Sequence, residues 1–138
     1  MNDLYVAFDC PMDHRIAPLV ISSYSEELKR LNTKVDQATK DCWVLWAQAM
    51  GGQVILLQGA EGIVKVPIRA LPKLAEQRTR FKEALGEPVV PVGAGTTMDK
   101  AIKARDLARK TGRETPIFWS PEVDAEAAKL ANTSDSKL

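Results

Sequence analysis

Val54-Ile55-Leu56-Leu57-Gln58-Gly59-Ala60-Glu61-Gly62-Ile63-Val64-Lys65-Val66-Pro67 reads as two apolar arms about a polar turn. Aliphatic residues, many of them branched at Cβ, fill the runs 53–57 and 62–66, and Gln58-Gly59-Ala60-Glu61 joins them. That length and composition predict a β-hairpin. Pro67, with no N–H to give a ladder, ends the second arm. What surrounds the hairpin decides the fold it belongs to.

Upstream, Leu4-Tyr5-Val6-Ala7-Phe8 is a short apolar run entering Asp9, and its aromatic and β-branched content predicts a buried strand. Pro11 and Pro18 bracket an expected loop. Leu19, Val20, Leu28 and Leu31 recur with charges between them, which predicts a helix over 19–31 that Asn32-Thr33 interrupts. Val35, Ala38, Cys42, Leu45, Trp46 and Ala49 then carry a second helix to Gly51-Gly52, although residues 42–46 are also rich in strand formers.

Downstream, Leu71, Leu74, Ala75, Arg78, Phe81 and Leu85 mark a third helix ending at Gly86. Val89-Val90-Pro91-Val92 reads as a short edge strand, and Thr96-Thr97 as the N-cap of a helix that starts at Met98 and closes in basic residues before Gly112. Ile117-Phe118-Trp119 is a candidate last strand. The order βααββαβα predicts an α/β fold, an α+β sandwich with a mainly antiparallel sheet in the ferredoxin-like manner. Residues 1–120 make the expected domain, and 121–138 a short helix and a flexible tail.

A chain of 138 residues fits one domain, and 45% apolar with 27% charged residues puts it among folding chains. Nineteen basic against eighteen acidic residues leave a net charge of +1, too little basic excess for long nucleic acid as the main partner. Cys10 and Cys42 form no CxxC pair, and no apolar run approaches 18 residues. A reducing, cytoplasmic setting with no membrane partner is expected.

Three segments, in this order, resemble the palm domain of the GGDEF diguanylate cyclases and the minimal CRISPR polymerases. Tyr5-Val6-Ala7-Phe8-Asp9 is similar to the strand that ends in a metal-binding aspartate. The hairpin of residues 54–67 is similar to the one whose turn reads Gly-Gly-Asp-Asp or Gly-Gly-Asp/Glu-Glu in active members. Ala108-Arg109-Lys110-Thr111-Gly112-Arg113 resembles the Ala-Lys-x-x-Gly-Arg ending of the last helix.

In active members, carboxylates of the first strand and the turn hold two divalent ions that clamp a triphosphate. By the resemblance Asp9 takes the first carboxylate position, but Pro11 stands where a second is expected. Gln58 replaces the first glycine of the turn, Gly59 is kept, Ala60 replaces the aspartate, and Glu61 retains the final acid. Arg109 replaces a lysine and keeps a charge suited to bidentate phosphate contact.

The resemblance therefore implies a catalytically degenerate domain that binds a nucleotide or cyclic oligonucleotide through Asp9, Gln58, Gly59, Glu61 and Arg109, or that regulates or assembles. One alternative is an active cyclase or GTP-processing enzyme with Asp9 and Glu61 as catalytic ligands to Mg²⁺ or Mn²⁺. Another is a pure protein-interaction or inhibitory factor. Palm cyclases pair face to face, so a homodimer is also expected, anchored by whichever of Trp43 and Trp46 faces out and by residues 117–119.

Other motifs carry less. His14 is the only histidine and has no ligand cluster of zinc spacing around it. Gly93-Ala94-Gly95-Thr96-Thr97 has glycines before a helix but no lysine of a phosphate loop, and a tight turn with a threonine cap accounts for it.

Overall fold

β1 (Asp3–Phe8) is the hub of the sheet, paired antiparallel with β3 (Glu61–Pro67) on one side and with β4 (Val92–Gly95) on the other. The structure, a computed structural model, describes residues 3–21 and 25–136. β2 (Gln53–Gln58) closes the predicted hairpin against β3, and the two-residue β5 (Ile117–Phe118) runs parallel to β4. The strand order β2-β3-β1-β4-β5 is the ferredoxin-like arrangement with one strand added. Gly59, at φ 60°, takes the left-handed conformation that the tight Gln58-to-Glu61 connection needs.

Helices cover both faces, which is why β1 has no polar alternation. Leu4, Val6 and Phe8 join the larger core with α2 (Ser25–Thr39) and α4 (Leu74–Leu85). Ala7 faces the other way, onto Ile63 and Ala101. On that second side α5 (Met98–Thr111) packs on β4 and β1, and α6 (Pro121–Ser136) packs Val123 against it, held further by Arg113 Nη2, which donates to both carboxylate oxygens of Glu126 at 2.9 and 3.0 Å. No helix among the described residues is long and apolar enough to cross a membrane.

Several boundaries differ from those expected. Pro18 lies inside α1 (Asp13–Ile21) rather than in a loop; Ile16 and Leu19, packed on the main core, hold that helix despite the lost donor. Asn32-Thr33 does not interrupt α2, because Leu31, Val35 and Ala38 bury one continuous face and outweigh the weak local propensity. The helix then widens into a π turn over Lys40–Val44 and continues as α3 (Leu45–Ala49), so residues 42–46 are helical. Thr39 donates its hydroxyl to Val35 O at 2.8 Å at the start of this turn, and Gln77 Nε2 caps the Cys42 carbonyl at 2.6 Å. A 3-10 turn (Ile68–Lys73) containing Pro72 precedes α4.

The fourth strand is displaced most: it covers Val92–Gly95, not residues 89–92. The glycines expected in a strand-to-helix turn are therefore sheet residues. Their missing side chains let α5 lie directly on the strand, since a Cβ on Gly93 would stand 2.1 Å from Arg105 N and 2.4 Å from Ala101 O. Thr97 caps α5 as expected, accepting from Lys100 N at 3.2 Å. Across the molecule, the buried carboxylate of Glu87 is gripped by His14 at 2.8 Å and Arg15 at 2.9 Å, which ties α1 to the end of α4 and gives the lone histidine a structural partner.

Candidate arginine-clamped cleft

Asp9 follows the last residue of β1, with its amide donating to Pro91 O at 3.2 Å, so its carboxyl is fixed at the end of the central strand. The antiparallel pairing of Phe8 with Gly62 brings the hairpin turn beside it. Close approach of α5, permitted by Gly93, Ala101, Ala104 and Ala108, adds Arg105 and Arg109, four residues apart on one helix face. Arg109 Nη2 donates to Asp9 Oδ2, and Arg105 Nη1 pairs with Glu61 Oε1 at 2.9 Å while its Nη2 reaches Asp106 at 3.3 Å.

Asp9, Glu61 and Arg109 line a cleft of about 530 Å³, within the size range of small-ligand sites, and Arg105 bears on it only through its pairing with Glu61. Gln58 and Gly59 line it from the turn, and Asn32 and Asp36 from α2. A groove of about 560 Å³ between α2 and α4 runs over solvated charges, and the Lys29–Glu26 pair on its wall, 3.6 Å apart, is open to solvent. The expected residues Asp9, Gln58, Gly59, Glu61 and Arg109 thus share a single cleft.

Sequence reasoning missed Arg105, Asn32 and Asp36. Arg105 had a readable signal, its i, i+4 relation to Arg109 among alanines. Asn32 was read as a helix break, which hid its place on α2.

Burial raises the Asp9 carboxyl above its ordinary value of 3.8; Arg109 opposes this, Glu61 adds to it, and Arg105 and the Cys10 amide oppose it. Cys10, on the same wall, is pushed up to about 12, chiefly by burial, so its thiol is no nucleophile at neutral pH. Because folded Asp9 holds its proton to higher pH than unfolded Asp9, the native state binds more protons between 3.8 and the raised value. Its contribution to stability therefore falls as pH rises through that window. The unfolding free energy of the wild type relative to Asp9→Asn should decline from pH 4 toward neutrality in urea titrations; a rise over that range would show the carboxylate to be stabilised in the fold.

The donor set does not fit Mg²⁺ or Mn²⁺. The carboxylates of Asp9 and Glu61 are both engaged by guanidinium groups. Pro11 supplies no side-chain oxygen, and Ala60, which only the resemblance sets at the turn aspartate's position, is part of the apolar core. Among the described residues, no group of three or more His, Cys, Asp or Glu converges as a metal site does.

The fold and the cleft define a palm-type α/β domain with arginine-paired carboxylates at the end of its central strand. Solved structures place that fold: the chain is similar to the GGDEF domain of a Pseudomonas aeruginosa protein, at TM-score 0.56 and 12% identity over 86% of this chain and 84% of that one. It also matches an EAL/GGDEF domain protein from M. capsulatus at 15% identity, over 86% of this chain and 85% of that one, with a looser TM-score of 0.44. No protein-family model and no curated protein matches the sequence.

Proposed function

We propose that this palm domain performs no nucleotidyl transfer and instead binds a nucleotide or cyclic oligonucleotide in the cleft, as a regulatory or assembly module. The observation that carries this reading is the convergence of Arg105 and Arg109 on the two carboxylates that the resemblance assigns to metal binding. Guanidinium forks suit phosphate. Asn32, Asp36 and Gln58, on the remaining walls, supply the donors and acceptors that read a base edge.

Isothermal titration with ATP, GTP and cyclic oligonucleotides is expected to give saturable heat in the micromolar range. No heat at millimolar ligand would leave protein interaction as the function. Incubation with nucleoside triphosphates and Mn²⁺ is expected to give no product, and conversion abolished in Asp9→Ala would restore the enzymatic reading.

A second copy of the chain is part of the proposal, on grounds other than tryptophan. Trp43 is fully buried and Trp46 packs partly buried on the same core. The exposed apolar residues Ile55, Leu56 and Leu57 instead lie on β2, at the edge of the sheet. From Gln53 to Gln58 that strand carries no charge and has glutamine at each end, so an antiparallel copy of itself meets it without like charges opposed.

A further inference from the structure

The misfit between this cleft and a divalent cation has a consequence for how it takes an anion. We propose that Asp9 is an internal competitor that occupies Arg109 until a phosphate-bearing ligand replaces it, so that the cleft holds phosphate by guanidinium contact alone, without a divalent ion. This rests on the nucleotide-binding reading above and specifies its chemistry.

The two arginines differ in a way that assigns them different roles. Arg105 is a strut: its side chain is only 10% exposed and it is held between Glu61 and Asp106. Arg109 is 42% exposed and opens onto the cleft. Its contact with Asp9 runs through Nη2 alone, whereas a guanidinium offers five donors in a planar fork. A phosphate entering the cleft thus finds unused donors on Arg109, with the Asp9 carboxylate as the nearest like charge.

The acidic and basic side chains around Arg109 set the direction of the effect. Asp9, Asp36 and Glu61 line the cleft, against Arg109 and the Arg105 that neutralises Glu61. An incoming anion must compete with a carboxylate already seated and tolerate its charge nearby, and like charges brought together in a partly buried site are costly. Removing the Asp9 charge relieves both. In a site that works through a cation, the same change removes a ligand and weakens binding. The two arrangements therefore predict opposite signs for one substitution.

Asp9→Asn keeps the size of the side chain, and Arg109 is exposed enough to remain solvated when its partner is neutral. The experiment is titration of ATP, GTP and inorganic pyrophosphate into wild type, Asp9→Asn and Arg109→Gln, each with EDTA and with excess Mg²⁺, with thermal melts to confirm that every variant is folded. Wild-type affinity is expected to be the same within about twofold with EDTA and Mg²⁺, about tenfold tighter in Asp9→Asn, and about tenfold weaker in Arg109→Gln. Binding that requires Mg²⁺, or that is lost in folded Asp9→Asn, would overturn the inference and leave the nucleotide-binding reading standing. Absence of binding to both wild type and Asp9→Asn would overturn the two together.

Discussion

Replacing Trp43 with alanine is expected to cost about 3–5 kcal/mol of unfolding free energy, the range for truncating a buried large aromatic residue. Trp43 is completely buried. Its ring stacks on Phe8 with centroids 4.6 Å apart and planes 5° from parallel, and it meets Phe81 and Trp46 edge-on, each at 5.9 Å. This one side chain thus joins the central strand, the π turn and α4.

Trp43→Phe should cost much less than the lost volume implies, because the indole Nε1 is buried without a hydrogen-bond partner among the described residues. An orphaned buried donor costs about 1–3 kcal/mol, and phenylalanine removes it. Urea denaturation of the two variants checks both points. A loss below 1 kcal/mol in Trp43→Ala would place the ring outside the core.

The π turn also shows what could be read from the sequence and what could not. Val35, Ala38, Cys42, Leu45 and Trp46 announced a helix by spacing alone. The widened turn carries a long-range contact, Gln77 Nε2 on the Cys42 carbonyl 35 residues away, and local pattern holds no record of that. The hairpin was legible because its determinants are local: two apolar runs, a turn glycine and a terminal proline. β4 was not, since glycine is a poor strand residue and its placement in the sheet is decided by a helix that begins only after it.

The cleft follows the same division. Asp9, Glu61 and Arg109 were found through a resemblance to an ordered set of motifs. Their pairing was not foreseen, nor was the part of Arg105, because both depend on how closely α5 approaches the sheet. Ala60 makes the point from the other side. By the resemblance it stands where a metal ligand is expected; in the structure it belongs to the main core and borders the cleft, which sequence alone does not reveal.

That dependence on α5 makes Gly93→Ala the other substitution of large expected effect. A methyl group there would sit 2.1 Å from Arg105 N, 2.4 Å from Ala101 O and 2.7 Å from Ala104 C, all backbone atoms of one helix. No rotamer change relieves a clash with backbone, so α5 must move as a unit or the strand must distort. Overpacking of a tight core costs about 1–3 kcal/mol, and contact with helix backbone puts this case at or above the upper end. Because α5 also carries Arg105 and Arg109, the shift separates both guanidinium groups from Glu61 and Asp9. Gly93→Ala is therefore expected to lose about 3 kcal/mol in urea denaturation and, where still folded, to bind nucleotide at least tenfold more weakly than wild type. Stability within 0.5 kcal/mol of wild type would mean that α5 does not lie on β4 at this distance, and the arginine clamp, which needs that distance, would fall with it.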